Sequence, residues 1–220
     1  MQSQEASPTS ETSTAVWREL AEYARWAPSP HNTQPVRIKI LDEERAGLYF
    51  VPERGLAVGD PVGRFTQMTF GITAEILRIA AHARGYELEV TYEGQPLYQA
   101  PEPEKVAELK LVSVSSPVPD LDPALILQRR TDRNPYNNQP VPAEVVEELK
   151  AEAARYGQTF EVATDRQSIR WVKELNRDVL FHDLEHPVYR EELQGWLRFS
   201  DREAAERRDG LSARAMVLPG

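Results

Sequence analysis

Cysteine is absent from the 220 residues, which excludes disulfides and thiolate metal ligands. That fits a reducing compartment, and a cytoplasmic protein is expected. Basic residues are in deficit: 26 Lys and Arg stand against 35 Asp and Glu, a formal charge of −9. Nucleic acid and anionic membrane surfaces both select basic faces, so neither is expected as a partner. No apolar run approaches the roughly 20 residues that cross a bilayer. Neither a Gly-rich P-loop nor a dinucleotide fingerprint occurs. Met1 to Ser13 offers almost nothing to bury and lacks the basic and apolar regions of a signal peptide. It reads as a disordered tail.

What remains is an ordinary globular balance, 40% apolar and 28% charged, long enough for one large domain or two small ones. Thr14 is the expected cap of a helix with Val16, Trp17, Leu20, Ala21 and Ala24 on one face. Pro28 ends it. Val36, Ile38 and Ile40 alternate as a half-buried strand, and Gly47 to Val51 reads as its partner. The most apolar helix starts at Phe65 or Thr66 and ends at Arg84. Met68, Ile72, Ile76, Ile79, Ala80 and Ala83 share one side, with Phe70 and Leu77 besides, which predicts a central, buried helix. Strands are predicted at Leu88–Tyr92 and Val106–Val114. Ser115 to Asp122, with two prolines, reads as a boundary between a first half, 14–116, and a second, 123–220.

The second half opens on a short helix. Pro140-Val141-Pro142 then starts a helix carrying Val145, Val146, Leu149 and Ala153. A strand is predicted over 159–163. Asp165 caps a helix with Ile169, Val172, Leu175 and Val179, and Pro187 starts another. Helices and strands mix without strict alternation, so the class is α+β.

Two stretches hold chemistry-bearing residues. Pro28-Ser29-Pro30-His31-Asn32-Thr33-Gln34-Pro35 is a sharp helix-to-strand connection. The amides of Asn32 and Gln34 offer both donors and acceptors. They suit the edge of a planar heterocycle, or simply a turn whose polar side chains satisfy one another. The second stretch is Arg129-Arg130-Thr131-Asp132-Arg133. Clustered guanidiniums around a hydroxyl suit a phosphate, or form a solvated charged face. His182-Asp183-Leu184-Glu185-His186 matches the His-x-x-Glu-His of inverted zinc peptidases. Pro187 follows at once, so it reads as a helix end and no metal site is expected.

Taken with their flanks, these stretches resemble the nitroreductase family of FMN-dependent oxidoreductases. The Pro-Ser-x-x-Asn-x-Gln-Pro pattern lies in the first half, and the arginine motif with Pro140-Val141-Pro142 in the second. Each half lacks the motif that the other holds. This is similar to the Acg-like branch, in which a fused dimer keeps one flavin site. Tyr49-x-x-Pro52-x-Arg54 and Asp60-Pro61-x-Gly63-Arg64 match the branch as well. Val36 stands where the family usually has Trp, Pro30 replaces a serine, and members of the branch carry a longer C-terminal part, with a long helix and further flavin contacts.

The resemblance implies a nitroreductase-like fold, a mixed or antiparallel sheet flanked by helices in a pseudo-dimer of two halves. Arg129, Arg130, Thr131 and Arg133 would hold the FMN phosphate. Pro28, Ser29 and Asn32 would contact the isoalloxazine, with Gln34 as support. NAD(P)H would be the electron donor and a nitroaromatic or quinone-like small molecule the acceptor. The alternative is an FMN-binding or flavin-sequestering protein without turnover. The chain is expected as a monomer with an internal pseudo-dimer, or as a homodimer. No catalytic acid or base is identified.

Overall fold

A computed structural model describes residues 10–99, 101–114, 121–137 and 139–217. The chain separates into two compact units: Met1–Thr131 with Glu192–Gly220, and Asp132–Glu191.

The first unit opens with α1, Ser10–Ala24. It starts ahead of Thr14, the predicted cap, so part of the expected tail is helical. Residues 1–9 of that tail lie outside the described residues, as do 115–120 of the expected boundary. Helical spacing places Trp17 and Leu20 on one face of α1, and both are fully buried.

The sheet is antiparallel. Strands β1 (Val36–Ile40), β2 (Arg45–Phe50), β3 (Tyr86–Tyr92) and β4 (Glu104–Ser113) lie in the order β1-β2-β4-β3. The Asp42 carboxylate accepts the Glu44 and Arg45 amides at 3.0 and 2.8 Å, which fixes the β1–β2 turn. Val36 pairs with Phe50 and Ile40 with Ala46. A bulge sits where Leu48 and Tyr49 meet β4. Among the described residues β1 is an edge strand, with a strand partner on one side only.

Across the sheet lies α2, Arg64–His82. Its inner face, Phe70, Thr73, Leu77, Ala80 and Ala81, joins Trp17, Leu20, Leu48, Phe50, Ala107 and Leu109 in the buried core. The prediction of burial on more than one side holds along the later turns, where Ile76 and Ile79 are buried besides Phe70 and Leu77, and needs correction at the start. Met68 and Ile72 belong with Phe65 on an outward face and are exposed. Two apolar stripes wind round α2: the sheet with α1 covers one, and Ile126 covers the other only at Ile76 and Ile79.

Helix α3 (Ala124–Gln128) seats Ile126 against Ile76 and Ile79. The second unit contains α4 (Ala143–Arg155) and α5 (Arg166–Glu185). Asp165 caps α5 as predicted, accepting the Ser168 amide at 2.9 Å, and that bond holds its carboxyl below the usual range. The predicted strand over 159–163 is irregular. Without a paired neighbour, five residues of alternating pattern form no strand. No described residue of this unit is fully buried.

Helix α6 (Pro187–Gly195) carries the chain back to the first unit, which ends with β5 (Leu197–Arg198), α7 (Asp201–Arg207) and β6 (Leu211–Ser212). β5 and β6 pair in parallel.

Candidate functional site

The connection after α1 is built from unusual backbone. Ser29 is extended, and Pro30–Asn32 forms a single 3-10 turn. His31, Asn32 and Gln34 have φ of 48°, 54° and 54°, left-handed values without glycine. Each such residue costs on the order of 1 kcal/mol and persists only where its surroundings impose it. The local frame begins with the Asn32 and Thr33 amides, which donate to the carbonyls of Ser29 and Pro30 at 2.9 and 3.0 Å. The Gln34 amide donates to Ser29 Oγ at 2.9 Å. That leaves the Ser29 hydroxyl hydrogen to donate outward.

Distant chain completes the frame. Asn32 meets Gly210 twice: Gly210 N donates to Asn32 O, and Asn32 Nδ2 donates to Gly210 O, both at 3.1 Å. Gln34 Nε2 donates to Arg208 O at 2.7 Å. Gly210 is required there, with φ of +74° and a Cβ that would meet Trp196 O at 2.4 Å. Arg54 Nη1 donates to Thr33 O at 2.9 Å and to Asp209 Oδ2 at 3.3 Å. Asp209 Oδ1 accepts Arg198 Nε and Nη2 at 3.0 and 2.6 Å. Arg198 is 3% exposed, and its Nη1 also donates to the Gly195 and Leu197 carbonyls. A chain of charge-assisted bonds thus runs from Arg198 through Asp209 and Arg54 to the turn.

His31 presents a buried Nδ1 that has no hydrogen-bond partner among the described residues. Burial lowers its basicity, and the Glu192 carboxylate opposes that in part. Glu192 is itself held by the Val58 and Gly59 amides at 2.9 and 2.8 Å.

The turn separates two recesses. One is a shallow groove of about 190 Å³ between Pro28, Ser29 and Pro30 and the outward face of α2, Phe65, Met68, Thr69 and Ile72. It is almost wholly apolar and suits the face of a flat ring. The other is a cleft of about 350 Å³ on the β1 side, lined by residues that include Ala24, Ser29, Gln34, Val36, Arg37 and Arg54.

The arginine motif follows α3 directly. Ala27, next to Pro28, packs on the cluster that contains Ile126, close in sequence to Arg129. Arg130 Nη1 folds back to the Leu127 and Arg129 carbonyls at 2.7 and 2.9 Å. Arg129, Arg130 and Thr131 are exposed and belong to the first unit, whereas Arg133 belongs to the second. Among the described residues, no hydrogen bond joins Arg129, Arg130 or Thr131 to the segment from Pro28 to Gln34. The turn therefore brings Pro28, Ser29, Asn32 and Gln34 together. Asn32 and Gln34 each donate to the chain's own carbonyls, while Gln34 Oε1 and the second Asn32 amide hydrogen remain for other partners.

His182 lies in the last turn of α5, but His186 is beyond it, extended at φ −78°, ψ 118°, and stacks edge-on against Tyr189 at 5.3 Å. The His186 amide still donates to His182 O at 3.1 Å as the helix cap, and among the described residues no group of three ligand-type side chains that could hold a metal ion occurs.

Sequence reasoning missed Asp209, Gly210, Arg198 and Glu192. Asp209-Gly210 is a turn signal in its own right, but nothing local says which distant residue it will meet.

No family model matches the chain. It is similar to two curated proteins of Mycobacterium tuberculosis, from strains CDC 1551 and H37Rv, each named "Putative NAD(P)H nitroreductase". Both are 33% identical over 135 residues, 60% of this chain and 37% of theirs. The match thus spans little more than a third of the length of these relatives. The α+β architecture with its antiparallel four-stranded sheet is compatible with a nitroreductase-like fold. Among the described residues no helix is long and apolar enough to cross a membrane.

Proposed function

We propose that the chain is part of an FMN-dependent oxidoreductase of nitroreductase type, of the Acg-like, fused-dimer kind, that uses NAD(P)H to reduce small nitroaromatic or quinone-like acceptors. The observation that carries this reading is the rigid turn itself. Three left-handed residues and two sets of long-range bonds hold Pro28, Ser29 and Pro30 as one wall of an apolar groove. Strain concentrated at such a place is characteristic of a binding site. The names of the relatives point the same way.

The residues present fit a flavin in part. The groove offers apolar faces to a ring, and Ser29 keeps a hydroxyl donor for its polar edge. Asn32 and Gln34 would act mainly by fixing the turn, with their remaining amide groups available to the ring. Arg129, Arg130, Thr131 and Arg133 would hold the phosphate, the two halves 14–116 and 123–220 each supplying one motif. FMN supplies hydride acceptance and electron delivery when bound, and the protein supplies binding, orientation and exclusion of water.

Replacing Arg129 and Arg133 together by Ala should weaken FMN binding by about tenfold or more, as expected for loss of charge-assisted phosphate contacts. A fluorescence titration with FMN checks this. Unchanged affinity would move the phosphate elsewhere.

A further inference from the structure

A third recess, of about 450 Å³, lies between the start of α2 and the end of the β3–β4 pair. Tyr92 pairs with Ala107, which is fully buried in the core under α2. Residues directly opposite on paired strands leave the sheet on the same side. Tyr92 therefore continues the row of Leu88 and Val90 toward α2. From the helix, Gln67 lies one turn before the buried Phe70. By helical spacing Gln67 falls on a different side of α2 from Phe65, Met68 and Ile72. This recess and the apolar groove at Pro28 share no residue.

The remaining wall, Gly94 to Leu97, is held at both ends. Before it, Glu93 N donates to Val106 O at 2.9 Å. At its far end Leu97 is buried in the core. Gly63, at φ +71°, admits Leu97, whose Cδ1 would lie 2.9 Å from any Cβ there. Tyr98 then stands edge-on to Phe50 at 4.9 Å, and its hydroxyl accepts the Leu56 amide at 3.1 Å. The recess is thus formed before anything enters it.

No charged side chain lines it, in a chain where 28% of residues are charged. Lys105, next to Val106, is tied to Glu93 and Glu108 at 3.0 and 2.9 Å. The polar side chains of the lining are the Gln67 and Gln95 amides and the Tyr92 hydroxyl. None of the three has a hydrogen-bond partner among the described residues. Partial burial pushes the Tyr92 phenol above its ordinary pKa. A hydroxyl drawn partly out of water without a protein partner gains by bonding a ligand.

The geometry points to a second ligand site: the recess holds an uncharged aromatic molecule of one or two rings, its body against Phe70 and Leu97 and its carbonyl or amide edge toward Tyr92 and the two glutamines. An apolar floor with a few polar side chains at this scale of volume is the usual form of a small-molecule site. An ion would leave water for walls that offer no counter-charge. The site stands whether or not the groove at Pro28 takes a flavin.

The test is calorimetric titration of the chain with naphthalene carboxamide and with naphthalene carboxylate, alike in size and different in charge. The carboxamide is expected to bind, and the carboxylate about tenfold more weakly or less. Tyr92→Phe keeps the ring, removes the hydroxyl and is expected to weaken the carboxamide about fivefold. Val62→Trp, at an exposed lining position, fills the recess and is expected to weaken it about tenfold or more. Met68→Lys, in the other groove, is expected to bind the carboxamide like the parent. No binding of the carboxamide, equal binding of the carboxylate, unchanged affinity in either Tyr92→Phe or Val62→Trp, or loss confined to Met68→Lys would overturn the site. A chain that refuses FMN yet binds the carboxamide in this pattern would sink the flavin reading and leave this one in place.

Discussion

His31 sits at φ 48° with a buried ring nitrogen that no described residue satisfies. Its lowered basicity has a direct consequence. Above about pH 6.5 the imidazole is neutral in both folded and unfolded chains. Below that, the unfolded chain binds a proton that the folded one resists, so stability falls as the pH drops. Attraction from Glu192 reduces the effect without reversing it. His31→Asn keeps a residue tolerant of left-handed backbone and removes the titration. Urea unfolding between about pH 7 and pH 5 should show a shallower loss for the variant than for the parent. Parallel losses would mean that His31 is solvated. The turn's residue types were legible in the sequence, since proline, serine and amides mark a constrained connection. What the amides do was not. Asn32 and Gln34 bond Gly210 and Arg208, a pairing that depends on how the whole unit closes.

At the scale of elements, the start of α2 shows how a motif finds its meaning. Asp60 in Asp60-Pro61-x-Gly63-Arg64 is buried, and its Oδ2 accepts both the Thr66 amide and the Thr66 hydroxyl at 2.9 Å. Its Oδ1 accepts the Phe65 amide at 3.3 Å. It satisfies donors of the first helical turn that would otherwise be left open. Asp60→Ala should cost about 2 kcal/mol, at the upper end for a helix cap, and Asp60→Asn less, since the amide oxygen still accepts. Denaturant unfolding distinguishes them, and equal stability of all three proteins would contradict a capping role. Periodicity found α2 readily but assigned its core face only in part. Phe70 and Leu77 are in the core, while Met68 and Ile72 face outward beside the turn. A helix with two apolar stripes does not declare which one the sheet will cover. The strand expected over 159–163 failed for a related reason, because alternation alone supplies no neighbour to pair with.

For the whole molecule, the antiparallel sheet, α1 and α2 make one packed core, and the loop at Arg208–Gly210 closes on the turn that this core presents. The second unit stands apart in character, its apolar side chains at Trp171, Val172 and Leu175 exposed. Arg129 to Thr131 and Arg133 fall on opposite sides of the division between units. The α+β class followed from the mixed pattern of helices and strands, and the pairing of the two motifs from the family resemblance. The bonds from Arg198 through Asp209 and Arg54 to Thr33 did not, because they join residues distant in the chain. Similarity to proteins named as NAD(P)H nitroreductases covers 60% of the chain. The most direct test is an absorption spectrum of the FMN-reconstituted protein under anaerobic conditions, before and after NADPH. The account predicts a yellow protein whose visible bands bleach on NADPH addition and return with a quinone or nitroaromatic acceptor. A colourless protein that cannot be reconstituted, or a yellow one that NADPH and NADH leave unbleached, would contradict it.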